Sequence, residues 1–206
     1  MADSFFNLAA GFLNAFQINL QVGLYSLLGG MVLGFPLTWM RIQGGWLRKL
    51  TETFITFLRA FPVFVLMFAL LNILAYSPYF TQHFTDHIPR AVLIMALCAY
   101  STAVISDAAE DAWNHYKKAD YAQALLLIPT LFRIFTILVM SSSVGAAIGV
   151  QDAVSFTLAR MEETPDALTR IWIVLSATIF FVVFFSVIRF TLYQVVQRLS
   201  KQRHGT

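Results

Sequence analysis

Long apolar runs alternate with short polar segments along this chain. A helix needs about twenty apolar residues to cross the hydrocarbon core of a bilayer, and five runs reach roughly that length: residues 16–40, 54–76, 91–109, 122–150 and 171–196. The pattern therefore predicts an all-α polytopic membrane protein with about five transmembrane helices. We expect residues 1–206 to form one transmembrane domain.

The layout of the fourth run and of the N-terminal segment is left open. The fourth is the longest and contains Pro129, three consecutive serines and two glycines, so we expect it to be tilted, kinked or broken into two pieces. At the N-terminus, four apolar residues recur at helical spacing: Phe5, Leu8, Phe12 and Phe16. That segment either lies as a short helix in the membrane interface or extends the first span.

Composition excludes the soluble classes. The chain is 58% hydrophobic and 12% charged, with a mean hydropathy of +0.70, whereas a soluble domain carries about twice this share of charge. It contains no phosphate-binding glycine loop followed by lysine, no HExxH and no GxSxG, so we expect no enzymatic activity and no cofactor. The single cysteine, Cys98, lies in an apolar run and fits a small core residue.

Basic residues outside the runs indicate the topology. Cytoplasmic loops carry an excess of Lys and Arg. Eight such residues fall on one side and three on the other, which predicts an external N-terminus and a cytoplasmic C-terminus. They are too dispersed to form a nucleic-acid-binding stripe. The first group is Arg41, Arg48, Lys49, Lys117, Lys118, Arg198, Lys201 and Arg203, and the second is Arg90, Arg160 and Arg170.

Three arginines fall inside the predicted spans, where a charge is costly and usually faces a partner or a water-filled path. Arg189 is within two turns of a helix end, so its side chain can snorkel to the interface. Arg59, just before Pro62, and Arg133 have two open interpretations: they line a path, or they snorkel or pair between helices.

Two short patterns favour structural roles. Gly30 and Gly34 form a small-xxx-small face on which another helix can pack closely. His83 and His87 flank Asp86, but a metal site needs a third ligand, so we interpret this segment as an ordinary solvated connection.

Four segments carry motifs of a known family. They are FITFLRAFPVFVLMF (54–68), AYSTAVISDAA (99–109), SSSVGAAIGV (141–150) and the closing apolar helix with its basic tail. Together these segments resemble the membrane subunits of bacterial ABC importers for polar amino acids. Arg59 and Pro62 hold the Arg and Pro positions of the family's Phe-Arg-Gly-Thr-Pro-like turn, and residues 143–150 match its Ser-Leu-Ala-Ser-Val-Ile-Gly-Val segment.

The resemblance implies a role and partners. It predicts half of a dimeric pathway in the bacterial inner membrane, completed by a second identical or homologous permease subunit. A periplasmic amino-acid-binding protein would feed that pathway. The candidates for lining it are Arg59, Pro62, Arg133, Ser141, Ser142 and Ser143.

The cytoplasmic loop departs from the family pattern. Family members carry a Glu-Ala-Ala…Gly coupling helix there, which docks onto the ATPase. In one alignment, residues 120–126 form a degenerate version of this helix. In the other, the whole element of roughly four turns is missing. We favour the second alignment because it preserves the length of the fourth span. The missing element argues against a bound ABC ATPase. The candidates for contacting a cytoplasmic partner are Trp113, Tyr116, Lys117 and Lys118.

Three functions remain open, in this order. The first is one half of an importer's transmembrane pair, with or without an intact paralogue that holds the ATPase. The second is a permease-derived anchor or receptor that engages a binding protein and a membrane partner without ATP-driven transport. The third is a small channel or secondary carrier, disfavoured because the two halves show no internal repeat.

Overall fold

The computed structural model describes residues 2–77 and 87–201, which are helical and contain no strand. The elements are α1 (Ala2–Gln43), α2 (Gly45–Ala60), α3 (Val63–Ala75), α4 (Ile88–Lys117), α5 (Tyr121–Leu125), α6 (Leu127–Ser142), a 3-10 helix (Ser143–Ile148), α7 (Ala153–Glu163) and α8 (Ala167–Lys201).

The predicted all-α polytopic fold is confirmed. Among the described residues, four helical segments are long and apolar enough to cross a membrane, and α2 with α3 adds a fifth if that bent pair is one span. The four are Leu8–Gln43, Ile88–Lys117, Gln123–Ile148 and Ala167–Gln194.

The run at 54–76 is not one straight helix, which corrects the simplest form of the prediction. Helices α2 and α3 meet at an angle of 89°. Pro62 has no N–H to donate, and its ring forces the preceding Phe61 into an extended conformation (φ −85°, ψ 117°). The 13 residues of α3 rise about 20 Å, less than the roughly 30 Å of a hydrocarbon core.

The hydrophobic core lies mainly between α1 and α4, with α3 and α6 packed on it. Close approach of α1 to α4 depends on small residues. A Cβ at Gly30 would collide with the Ser101 side chain, and one at Gly34 would lie 3.1 Å from both the Ile105 side chain and the Thr102 carbonyl oxygen. The close-packing face predicted for Gly30 and Gly34 is therefore confirmed.

Helix α8 lies at the edge of the bundle and contacts it through phenylalanines. None of the residues in its most apolar 18-residue window is buried. Phe12 of α1 meets Phe180 edge-on at 5.0 Å between ring centroids, and Phe16 meets Phe184 at 4.8 Å. Because α1 is continuous from Ala2, the N-terminal segment extends the first span and does not form a separate interfacial helix.

The two runs that flank the predicted cytoplasmic loop also differ in extent. Helix α4 continues to Lys117, well past the predicted end at residue 109, because the polar segment EDAWNHYK contains neither Gly nor Pro to end the helix. The run at 122–150 is divided into α5, α6 and the 3-10 helix. That last helix ends at Gly149, whose φ of +90° suits glycine.

Candidate functional site

Five charged side chains from α1, α2 and α4 meet at one end of the bundle. Arg41 is at the centre: its Nη1 is 2.9 Å from Asp107 Oδ1 and its Nη2 is 2.5 Å from Glu110 Oε2. The other Glu110 oxygen is 3.4 Å from Arg48 Nη2, and Arg59 pairs with Asp107. The Arg41 and Glu110 side chains are each only 12% exposed. We call these five residues the charge network.

Arg59 reaches the charge network because the chain breaks at Pro62. It lies in the last turn of α2, where a positive charge is favourable against the helix dipole. Its Nη2 contacts Asp107 and also lies 3.5 Å from the Ala103 carbonyl oxygen of α4. The side chain is nevertheless 47% exposed. Of the two interpretations open from the sequence, the contacts favour pairing between helices. About half of the Arg59 side chain nevertheless remains accessible.

A second polar group is fully buried where α1, α6 and α7 meet. Asn19 Nδ2 donates to Ser142 Oγ at 2.9 Å and to Asp152 Oδ2 at 3.1 Å, and Asn19 Oδ1 accepts from the Ala153 N–H at 3.1 Å. Asp152 also caps α7 by accepting from the Ser155 N–H at 2.9 Å. Asn19, Ser142 and Asp152, which we call the buried polar cluster, are at most 1% exposed.

The Asp152 carboxyl has an altered acidity. It lies between two candidate spans and outside both. Burial raises its pKa above the ordinary value because a charged form is poorly solvated there, and the hydrogen bonds from the Ser155 N–H and Asn19 only partly oppose this. Beyond the C-terminal end of α7, exposed Asp166 has its pKa lowered by the hydrogen bonds that it accepts from Thr169.

The three candidate serines divide between two environments. Ser142 belongs to the buried polar cluster and also donates to the Val139 carbonyl oxygen at 2.8 Å. Ser143 is half-buried, with its Oγ 3.5 Å from Asn19 Nδ2, and it also faces α8. Ser141 is half-buried on α6.

Arg133 lies elsewhere, in an open groove between α6 and α8. This groove of about 620 Å³ also holds Arg189 of α8. It shares Met140, Phe185 and Arg189 with an adjoining space of about 470 Å³ that extends to Ser143. We call the two together the α6–α8 groove. The structure thus separates Arg133 from Arg59 and Pro62, with which the sequence grouped it.

The candidates for a cytoplasmic partner contact form one aromatic patch at the end of α4. Trp113 and Tyr116 stack at 5.7 Å between centroids, and Tyr121 meets Tyr116 edge-on at 5.5 Å. Lys117 Nζ lies 5.5 Å from the Trp113 ring centroid, a cation–π geometry. Lys118 follows in the turn between α4 and α5. Trp113 is 38% exposed and Tyr116 is 53% exposed, so the patch presents aromatic surface.

Four site residues escaped the sequence interpretation. Asp107 falls inside the predicted third span, and an acidic residue at such a position should have been treated as a partner for the arginines. Asn19 in the first span carried a similar, weaker signal. Glu110 and Asp152 lie just outside the apolar runs, where charged residues are ordinary, so no sequence signal marked them. Of the histidine segment, His83 and Asp86 lie outside the described residues, and His87 directly precedes α4.

Apolar helices, a proline-broken pair and charges matched within the bundle define a polytopic helical membrane protein. One solved structure, described as "Crystal structure of an amino acid ABC transporter with histidines", matches 97% of this chain and 97% of its own, with a TM-score of 0.68 and 13% identity. No family model and no curated protein matches the sequence. At this identity the likeness shows a shared fold.

Proposed function

We propose that this chain is a membrane subunit of the kind found in amino-acid ABC importers, forming half of a dimeric pathway fed by a periplasmic binding protein. The observation that carries the proposal is the end-to-end match in fold to an amino acid ABC transporter. We place the protein in the bacterial inner membrane, with the N-terminus outside and the C-terminus in the cytoplasm, on the basic-residue asymmetry.

Arg59 and Pro62 are the strongest candidates for the pathway. The bend at Pro62 supports this role because irregular backbone at membrane depth is tolerated where it is buried in protein or lines a water-filled cavity. Arg59 beside it keeps about half of its side chain accessible while its charge is matched by Asp107. Ser142 and Ser143 contact Asn19, not Arg59, Ser141 precedes them on α6, and Arg133 lines the α6–α8 groove, so these four are weaker candidates.

A second function, a permease-derived anchor or receptor without ATP-driven transport, is favoured by the link between α4 and α6. After α4 ends at Lys117, the chain makes a short turn and enters α5, which has five residues. Five helical residues rise only about 7.5 Å, well short of the roughly four turns expected of a coupling helix.

Purification of the chain with candidate partners tests the two functions. Expressed without a paralogue, the unmodified chain should retain a binding protein but lose an importer ATPase. A chain with a family-type coupling loop inserted between Lys118 and Ala122 should retain both. Stable one-to-one copurification of the unmodified chain with an ATPase, with Trp113 or Tyr116 protected at the contact, would contradict the second function. It would indicate that the short link couples the chain to an ATPase, as in other importers.

Cysteine labelling tests the orientation separately. In a Cys98→Ala background, an impermeant maleimide added to intact cells should label a single cysteine at Thr164 and spare one at Ser200. Lysed cells should label both, which controls for local accessibility. Labelling at Ser200 alone in intact cells would invert the topology.

A further inference from the structure

The α6–α8 groove contains two guanidinium groups without a carboxylate partner. Arg133 and Arg189 line it from opposite helices, and no ion pair joins either of them to an acidic residue among the side chains described, those of residues 8–77 and 87–194. Three acidic residues that contact other spans already have partners: Asp107 and Glu110 in the charge network, and Asp152 in the buried polar cluster. The groove therefore carries net positive charge that no described carboxylate balances.

The two arginines lie at a defined depth. Early α6 faces late α8 across the groove, as Pro129 and Leu192 show, so depth is measured from one common end. The spans Gln123–Ile148 and Ala167–Gln194 have 26 and 28 residues, or about 40 Å each, so a span centred on a 30 Å core extends roughly 5 Å beyond each side. Arg189 then lies a few Å inside the hydrocarbon boundary and Arg133 about 10 Å inside. Both side chains can extend toward the boundary.

The rest of the groove is open and mostly apolar, with a few hydroxyl side chains among the lining residues. Its walls include Ile137, Met140 and Phe185. No residue of the most apolar window of α8 is buried, so the described chain covers this helix only in part. A free amino acid would lose its hydration against such walls, whereas an acyl chain would gain contacts with them. Apolar walls with positive charge near one end complement an amphiphile that has an anionic head.

We propose that the α6–α8 groove binds an anionic phospholipid, with the phosphate against Arg133 and Arg189 and an acyl chain along Met140 and Phe185. Basic pockets between transmembrane helices recognise acidic headgroups in this way. The proposal goes beyond the transport function and does not depend on it, because it uses only the charges, walls and depth of the groove. It assigns Arg133 to lipid binding and not to the pathway of a transported solute.

Native mass spectrometry of the full chain tests the proposal. The detergent-purified, delipidated protein is titrated with phosphatidylglycerol or with phosphatidylcholine of equal chain length. The unmodified chain should bind one phosphatidylglycerol in preference to phosphatidylcholine. The double variant Arg133→Gln/Arg189→Gln should bind it about 30-fold more weakly, and each single variant about fivefold more weakly. Arg133→Lys/Arg189→Lys, which keeps the charge, should retain most of the preference.

Matched controls distinguish lipid binding in this groove from binding elsewhere on the protein. Lys49→Gln removes an exposed cation of α2 far from the groove in sequence and should leave binding unchanged. Equal binding of the two lipids by the unmodified chain would overturn the proposal, even if the double variant failed to fold. So would displacement of phosphatidylglycerol by inorganic phosphate or by a polar amino acid at matched concentration. Loss of dimer by the double variant, without loss of lipid preference, would assign the groove to a contact between two copies.

Discussion

Two groups of arginines in this protein lie in contrasting regions. In the charge network, Arg41, Arg48 and Arg59 face carboxylates supplied by α4, next to a helix pair that is packed through glycines. In the α6–α8 groove, Arg133 and Arg189 face apolar walls and open space. In the first region, carboxylates of the same chain balance the arginine charges. In the second region, no described carboxylate does so, and the arginines face the surroundings. Stability should therefore depend on the first region and sensitivity to the environment on the second.

Removing a buried carboxylate from the charge network should have the largest effect. Glu110→Gln keeps the side-chain shape but leaves Arg41, only 12% exposed, with half of its compensating charge. Breaking a buried pair in this way costs about 3 kcal/mol. The free energy of unfolding, measured by titration with SDS in mixed micelles, should fall by that amount.

Glu52→Gln is the matched control. Glu52 pairs with Arg48 one turn away on α2, and both side chains are exposed, so its loss should cost at most about 0.5 kcal/mol. Similar losses from the two variants would mean that the charge network contributes no more than surface ion pairs do.

Widening the contact between α1 and α4 should have the next largest effect. Gly30→Val places methyl groups against the Ser101 side chain, and overpacking of this kind costs about 2 kcal/mol. The thermal unfolding midpoint in detergent should fall accordingly. Val32→Ala, at a position that is 71% exposed on the same helix, should leave it nearly unchanged. An unchanged midpoint for Gly30→Val would show that the two helices can separate freely.

Truncating one arginine from each region compares them directly. Arg59→Ala leaves Asp107 with one partner fewer at a half-exposed position and should cost about 1 kcal/mol. Arg189→Ala removes a side chain from an open groove and should stay within about 0.5 kcal/mol. At equal protein level, Arg59→Ala should also impair ligand-dependent function more. Equal functional losses from Arg59→Ala and Arg189→Ala would indicate that Arg59 has only a structural role.

The pH dependence of stability should show the smallest effect and a definite sign. Because burial raises the Asp152 pKa above the ordinary 3.8, the folded protein holds this proton at pH values where the unfolded chain has released it. The resulting stabilisation is complete below that ordinary value and is lost as the pH rises through the raised pKa. Asp152→Asn, which still offers a cap to α7, should remove this part of the slope in unfolding midpoints measured against pH. Parallel profiles for the two proteins would contradict the assignment.

The sequence predicted the helices better than their ends and bends. Apolar runs predict spanning helices reliably, because a segment in lipid must have a continuous apolar surface and must satisfy its backbone hydrogen bonds internally. The position of the break was visible at Pro62, but its 89° angle was not, since that depends on how α2 and α3 each pack on α4. The extension of α4 to Lys117 was missed because hydropathy stops reporting helix once the chain becomes polar.

Site residues were predictable only where they break an apolar background. Arg59 was conspicuous for that reason, but its partner Asp107 lies on another helix 48 positions later, so sequence spacing could not pair them. The buried polar cluster shows the same limit: Asn19 and Asp152 are 133 positions apart, and only the packing of α1 against α7 brings them to 3.1 Å.

The exposure of the spanning helices bears on how such a protein can diverge. In the most apolar windows of the four long spans, the buried share is 28%, 50%, 17% and 0%. At the remaining positions one apolar residue can replace another at little cost, because fluid lipid, unlike a close-packed interior, adapts to the shape of the side chain. Most spanning positions can therefore drift while the architecture is retained. Substitution of this kind erases sequence likeness long before it alters the fold.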